Sequence, residues 1–187
     1  GGKFDLATNF LADKGTKNYV FDPYNRSEEI NSATLAFLQK GNKADTATCA
    51  NVLNVIAEEG ARANVILEVA KAIKADGTAY FMVYEGDSSG VGRETSAGWQ
   101  NNRKTADYVD EISQYFESVT RKGKLIVAKN PVKNLPKATW EVSPGKGVKY
   151  QKKRNPSTYA PTFYSQMGRE IDAIKMHKIG ASSLVNY

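Results

Sequence analysis

The sequence predicts an α/β domain with a mainly parallel β-sheet, helices on both faces and an antiparallel last strand. Segments of strand and helix character alternate up to about residue 116, a pattern typical of parallel strands joined by crossover helices. The stretch SVTRKGKLIVAKN (118–130) then has two strand-like halves that meet at Lys122–Gly123, which indicates a hairpin. The length of 187 residues suits one domain with a substantial core.

Hydrophobic periodicity and turn residues divide the chain into elements. Ser27 is a good helix cap, and Glu28 and Glu29 suit the first turn of the helix that it begins. A turn is expected at 75–77 and a polar, glycine-rich loop at 85–99. The predicted helices cover 4–14, 28–40, 61–74, 104–116 and 162–178, and the predicted strands cover 18–22, 45–50, 78–84 and the two halves of 118–130.

The composition excludes several classes of protein. A single cysteine, Cys49, cannot form an internal disulfide and fits a reducing compartment, so we expect a cytoplasmic protein. The single histidine, His177, leaves no cluster with zinc spacing, and we expect no metal. No apolar run approaches the roughly 20 residues of a membrane span. A net charge of +6 permits an acidic partner but does not by itself indicate nucleic-acid binding.

The two ends of the sequence suggest how the sheet is completed. The start, GGKFDLATNF, has the glycine turn and helix that usually follow a β-strand, and the tail SLVNY (183–187) has strand character. We therefore predict that residues 183–187 supply the first strand, as in a circular permutant, which places Tyr187 beside Gly1. The alternative is a truncated chain whose tail is a surface appendage.

This order of elements implies three regions within one domain. Residues 1–130 form the α/β core, and residues 131–161, with their prolines and lysines, form a linker. Residues 162–187 contribute a helix and the strand that completes the core.

With that strand restored, the chain resembles class I S-adenosylmethionine-dependent methyltransferases, which have a Rossmann-like sheet. The glycine turn GGKFD matches the segment under the cofactor's amino-acid portion, and Asp22 ends the next strand 20 residues after Gly2, where the family has an acid for the ribose hydroxyls. TCANVLNVI matches the family's fourth strand and the turn after it. The strand at 78–84 and the hairpin RKGKLIVA match the fifth strand and the reversed last strand.

The resemblance implies S-adenosyl-L-methionine as cofactor and methyl transfer to a small-molecule or nucleic-acid acceptor. It implies a cofactor site made by Gly1, Gly2, Asp22, Pro23, Tyr24, Asn51 and Asn186. The loop that follows the fifth strand supplies candidate acceptor-binding residues, namely Tyr84, Glu85, Trp99, Gln100 and Arg103. Two departures stand out: Asn186 replaces the family's usual acid, and one strand and helix are missing between Asp22 and TCANVL.

Several of these residues have a simpler interpretation. Asp22 lies in Asp-Pro-Tyr-Asn, a good turn sequence, and Asp-Pro-Tyr also resembles, with one proline fewer, the Asp-Pro-Pro-Tyr motif of amino-methylating DNA enzymes. Asn54 suits a helix cap as well as a site residue. Tyr84 and Trp99 could simply pack, with their polar neighbours solvated. GDSSGVGRET (86–95) has the wrong spacing for a triphosphate-binding loop.

The alternative functions differ in what they require of the chain. A nucleic-acid methyltransferase would use the basic stretch around 146–154, which otherwise reads as a solvated linker. A scaffold protein would keep the fold without a working cofactor pocket. A nicotinamide-dependent oxidoreductase shares the glycine turn and the strand-end acid, but the predicted final hairpin argues against it.

Overall fold

A computed structural model describes residues 4–22, 25–96 and 98–137 and the backbone of 183–186. The chain divides into two compact units, Gly1–Trp140 with Ala181–Tyr187, and Glu141–Gly180, and every described residue belongs to the first. The predicted helix at 162–178 and most of the predicted linker at 131–161 lie outside the described residues. So do Gly1 and Tyr187, whose predicted proximity is therefore untested.

The described helices and strands follow the predicted alternation. The helices are α1 (Leu6–Ala12), α2 (Glu28–Gln39), α3 (Glu59–Ala72) and α4 (Val109–Ser113), with 3₁₀ turns at Leu53–Val55 and Thr105–Tyr108. The strands are β1 (Lys17–Val20), β2 (Ala44–Ala50), β3 (Ile73–Met82), β4 (Arg93–Thr95), β5 (Gly98–Gln100), β6 (Phe116–Lys122), β7 (Leu125–Pro131) and β8 (Ser183–Asn186).

The main sheet is mixed and has six strands in the order β1-β8-β2-β3-β7-β6. The pairs β1–β8, β8–β2 and β2–β3 are parallel, whereas β3–β7 and β7–β6 are antiparallel. The tail residues thus form a strand, β8, that lies between β1 and β2. The α/β class is confirmed, and so is the predicted hairpin, which turns at Gly123 with a φ of +62°.

Local sequence explains how α2 begins and where it packs. The Ser27 hydroxyl accepts a hydrogen bond from the Ile30 N–H, as predicted for a helix cap. The Thr34 hydroxyl donates to the Val20 carbonyl at 2.7 Å, and the rings of Tyr19 and Phe37 stack at 4.0 Å. These contacts attach α2 to β1, at the end of the strand that leads to Asp22.

The core lies between α3, α4 and the central strands. Its buried side chains include Ile66 and Leu67 of α3 and Phe81 of β3, and Phe81 meets Phe116 edge to face at 6.0 Å. Burying each such side chain contributes about 1.5–3 kcal/mol. Cys49 of β2 is also buried in this core.

Three segments have a different kind of structure from the predicted one. Residues 75–77 are not a separate turn, because β3 begins at Ile73 and carries an irregularity opposite Ala44–Thr46. The predicted helix at 104–116 is wrong at both ends: residues 105–108 form a 3₁₀ turn, and Phe116 starts β6. Part of the predicted loop at 85–99 pairs as the small hairpin β4–β5.

Candidate functional site

The parallel strands bring several predicted site residues to one edge of the sheet. Val20 pairs with Asn186, Asn186 with Thr48, and Ala50 with Met82. The carboxyl ends of β1, β8, β2 and β3 therefore share an edge, where open α/β sheets bind ligands. Asp22, Asn51 and Tyr84 follow these ends, and Asn186 closes β8; Gly1, Gly2, Pro23 and Tyr24 lie outside the described residues.

Asp22 has the environment of a turn residue. Its side chain is buried, and its Oδ1 accepts from the Asn25 N–H at 3.0 Å and from Asn25 Nδ2 at 3.1 Å. Its backbone is held as well, since the Asp22 N–H donates to Asn31 Oδ1 at 2.8 Å. A ribose diol would have to replace Asn25 as the donor to this carboxylate.

Asn51 and Asn54 lie on the segment that follows β2. Asn51 has a φ of +58° and donates its N–H to the Met82 carbonyl at 2.8 Å, which binds this segment to the end of β3. Asn54 lies in the 3₁₀ turn and is buried, so of its two interpretations the helix cap does not apply. Both Oδ1 atoms are buried and have no hydrogen-bond donor among the residues that the structure describes.

A chain of hydrogen bonds determines the orientation of the Asn54 amide. Gln100 Nε2 donates to the Tyr84 carbonyl at 2.9 Å, and a backbone carbonyl can only accept. Gln100 Oε1 therefore faces Asn54 and accepts from Asn54 Nδ2 at 3.0 Å. This leaves Asn54 Oδ1 as a buried acceptor without a donor in the described part of the chain.

Asn101 connects the loop after β3 to the segment after β2. Its Nδ2 donates to the carbonyls of Leu53 and Ile56, both at 2.9 Å, and its Oδ1 accepts from Trp99 Nε1 at 2.7 Å. Two neighbouring strand ends are thus tied together by one amide side chain. Sequence reasoning missed Asn101, because two acceptors of its amide N–H groups are backbone carbonyls distant in the chain.

Asn102 holds the glycine-rich part of the same loop. Its Nδ2 donates to the Val91 carbonyl at 2.9 Å, and its own carbonyl accepts from the Gly90 N–H at 2.8 Å. A Cβ on Gly86, whose φ is +60°, would lie 1.9 Å from Asn102 Oδ1. This close approach requires glycine at position 86.

The predicted acceptor-binding residues fall into two groups. Glu85 accepts from the Thr105 N–H and hydroxyl, both at 2.8 Å, and these bonds lower the pKa of its carboxyl. Trp99 donates to Asn101, Gln100 bonds the Tyr84 carbonyl and Asn54, and Arg103 pairs with Glu111 at 2.6 Å. Tyr84, in contrast, is 61% exposed.

An ion-pair cluster, formed by Arg62, Arg103 and Glu111, stabilises the segment that follows β2. Arg62 meets the Glu111 carboxylate with Nε–Oε2 at 2.8 Å and Nη2–Oε1 at 3.0 Å, and its Nη1 donates to the carbonyls of Ile56 and Ala57. The Arg103 guanidinium lies 4.5 Å from the centre of the Tyr108 ring. The cluster therefore fixes the chain just beyond the 3₁₀ turn that carries Asn54.

Within 4–22, 25–96 and 98–137, no group of three or more His, Cys, Asp and Glu side chains could hold a metal ion. None of the helices described has the length and apolar character needed to cross a membrane.

A scan against protein-family models matches no family, and a search of curated proteins finds no match to the chain.

Proposed function

We propose that this domain is a class I S-adenosylmethionine-dependent methyltransferase with a Rossmann-like core and a permuted chain order. Strand order is the observation that supports the proposal. With β8 in the place of the family's first strand, β1, β2 and β3 become the second, fourth and fifth. The order β1-β8-β2-β3 is then the 2-1-4-5 run of a doubly wound sheet. The antiparallel β7, between β3 and β6, matches the family's reversed last strand.

Under the proposal, the same strand order suggests where to expect the ligand. In doubly wound sheets the crevice lies outside the carboxyl ends of the strands, at the point where the strand order reverses. Under the proposal this point lies between β8 and β2, so Asn186 and Asn51 border it. Asp22 and Tyr84 follow the next strands on either side.

The residues at this edge fit the cofactor in part. The amide oxygens of Asn51 and Asn54 are acceptors without a described donor, and the cofactor carries amino groups that could donate to them. Asp22 fits less directly, because Asn25 uses its carboxylate. Asn25 is exposed, so cofactor hydroxyls could take over its hydrogen bonds at small cost.

The proposed methyl transfer depends mainly on how the acceptor is positioned. The bound cofactor supplies a methyl group activated on a sulfonium. Methyl transfer in line is accelerated by holding the acceptor at the correct distance and angle and by excluding water. The Asn101 and Gln100 hydrogen bonds hold the loop that carries Tyr84, whose exposed ring is available to an acceptor.

Calorimetric titration with S-adenosylmethionine and S-adenosylhomocysteine tests the proposal. We expect micromolar binding that weakens at least tenfold in Asp22→Ala, because hydrogen bonds to a charged group contribute about 1.5–3 kcal/mol each. Asp13→Ala, which removes an exposed carboxylate just after α1, is the matched control. Absence of binding by a folded protein would contradict the proposal.

A non-catalytic scaffold is the second candidate, and one observation favours it. Asp22, Trp99, Gln100 and Arg103 all have partners within the domain, as they would in a fold that has lost its pocket. Failure to bind either cofactor form would support this function. A nucleic-acid acceptor, which would use the basic stretch at 146–154 outside the described residues, is tested by methyl transfer to DNA and RNA once cofactor binding is established.

A further inference from the structure

Arg26, in the loop between β1 and α2, is a buried cation with one ion-pair partner among the residues that the structure describes. Its side chain is 6% exposed, and its Nη1 contacts Asp5 Oδ1 at 2.6 Å. Asp5 itself is 66% exposed. The other two nitrogens of Arg26, Nε and Nη2, are buried and have no hydrogen-bond partner in the described part of the chain.

Nε and Nη2 form one edge of the planar guanidinium and present two parallel N–H donors, which match the two oxygens of a carboxylate. Arg62 demonstrates this in the same protein, because its Nε and Nη2 bind the two oxygens of Glu111 at 2.8 and 3.0 Å. Arg26 therefore has the same two-donor edge with no acceptor among the described residues.

Burial makes this edge costly to leave without an acceptor. A buried charge that lacks partners for its hydrogen bonds destabilises a protein by several kcal/mol. An oxyanion on Nε and Nη2 would remove this cost and gain charge-assisted hydrogen bonds. Asp5 would then act as a positioning residue, since its contact with Nη1 holds the guanidinium from the opposite side.

We propose that Nε and Nη2 of Arg26 bind a carboxylate, that of the amino-acid portion of S-adenosylmethionine. The assignment rests on the proposed function and on location. Asp5 belongs to the segment GGKFD, which the resemblance places under that portion of the cofactor. Arg26 contacts Asp5 directly and follows Asp22, the candidate ribose residue, by four positions.

The assignment is tested by removing the carboxylate from the ligand and the two-donor edge from the protein, first separately and then together. The probes are S-adenosylmethionine and its decarboxylated analogue, and the variants are Arg26→Lys and Arg26→Gln. Arg121→Gln, on β6 at the opposite edge of the sheet, is the control.

We expect both Arg26 variants to weaken S-adenosylmethionine binding roughly ten- to a hundredfold. The same two variants should change the affinity for the decarboxylated analogue less than about twofold. Arg121→Gln should change neither affinity. Arg26→Lys keeps the positive charge, so it also serves if Arg26→Gln fails to fold. An equal loss for both ligands would overturn the proposal, because Arg26 would then be purely structural.

A second experiment needs no cofactor and tests the carboxylate site independently of the proposed methyltransferase function. The Arg26 Nε–H resonance is assigned by its loss in Arg26→Lys, and sodium acetate is titrated into the wild-type protein. We expect this resonance to shift downfield and saturate, while that of Arg121 does not saturate. If the resonance saturates but the protein does not bind the cofactor, the carboxylate site stands and the methyltransferase function is contradicted. If acetate does not shift the resonance, the carboxylate site itself is contradicted.

Discussion

Arg62 holds the carboxylate of Glu111 through two parallel contacts, Nε–Oε2 at 2.8 Å and Nη2–Oε1 at 3.0 Å. The pair joins α3 to α4, and both side chains are largely buried. Arg103 adds a second cation on Glu111 Oε1 at 2.6 Å. Because the two guanidinium groups share one carboxylate, Glu111 is the residue on which the cluster depends.

Glu111→Gln should therefore be strongly destabilising. The substitution leaves the buried Arg62 guanidinium without a counter-charge, which costs about 3–5 kcal/mol when one partner of a buried pair is removed. Urea unfolding followed by circular dichroism measures the change. Glu117→Gln, at an exposed position of β6, is the matched control and should change stability by less than about 0.5 kcal/mol. Equal effects of the two substitutions would contradict the importance of the cluster.

The same carboxylate should make stability depend on pH. Burial disfavours the charged form of Glu111, but hydrogen bonds and charges from Arg62 and Arg103 outweigh burial and hold its pKa below the ordinary value. The resulting stability is fully present above the unfolded-state pKa of about 4.3, and it is lost as pH falls through the lower folded-state value. The stability difference between wild type and Glu111→Gln should thus shrink from pH 7 to pH 3. A constant difference would be evidence against this linkage.

Cys49 should be inert in the native protein. Burial within β2 raises the pKa of its thiol to about 12, so almost no thiolate is present at pH 8. A thiol reagent such as dithionitrobenzoate should react only as fast as the protein opens, and stoichiometrically in denaturing urea. A rapid native reaction would show that the centre of the sheet is accessible.

Gly86 should tolerate a side chain less well than Gly90. Both have positive φ, +60° and +77°, so alanine is strained at either position, but only at Gly86 would the new Cβ meet Asn102 Oδ1, at 1.9 Å. We expect about 1 kcal/mol of destabilisation for Gly90→Ala and at least 2 kcal/mol for Gly86→Ala. Thermal or urea unfolding measures both. Adding Asn102→Gly should recover part of the Gly86→Ala loss, and no recovery would locate the strain elsewhere.

The strands of the main sheet, apart from their exact ends, and the start of α2 were predictable because their signals are local. Ser27 caps a helix through the Ile30 N–H three residues away, and the β6–β7 hairpin turns at a glycine whose φ is positive. Strand character at 183–186 was visible in the same way. These elements depend on neighbouring residues, which a single sequence displays.

The interior of the candidate site was not predictable in the same way. Gln100 was expected to contact an acceptor, but it bonds the Tyr84 carbonyl and Asn54, and Asn101 was overlooked. Amide side chains form hydrogen bonds equally well with ligands, backbone or solvent, so residue type alone does not identify the partner. The acceptors of Asn101 Nδ2 include the Leu53 and Ile56 carbonyls, which only the folded chain brings within reach.

The position of β8 has a consequence for biosynthesis. Within the described residues, β1 joins the sheet through β8 alone, with Lys17 opposite Ser183 and Val20 opposite Asn186. β2, β3, β7 and β6 all precede β8 in the sequence, so they can pair during translation before β8 has been made, but β1 cannot. β1 is therefore incorporated into the sheet after strands that follow it in the sequence, because it waits for a partner distant in the chain.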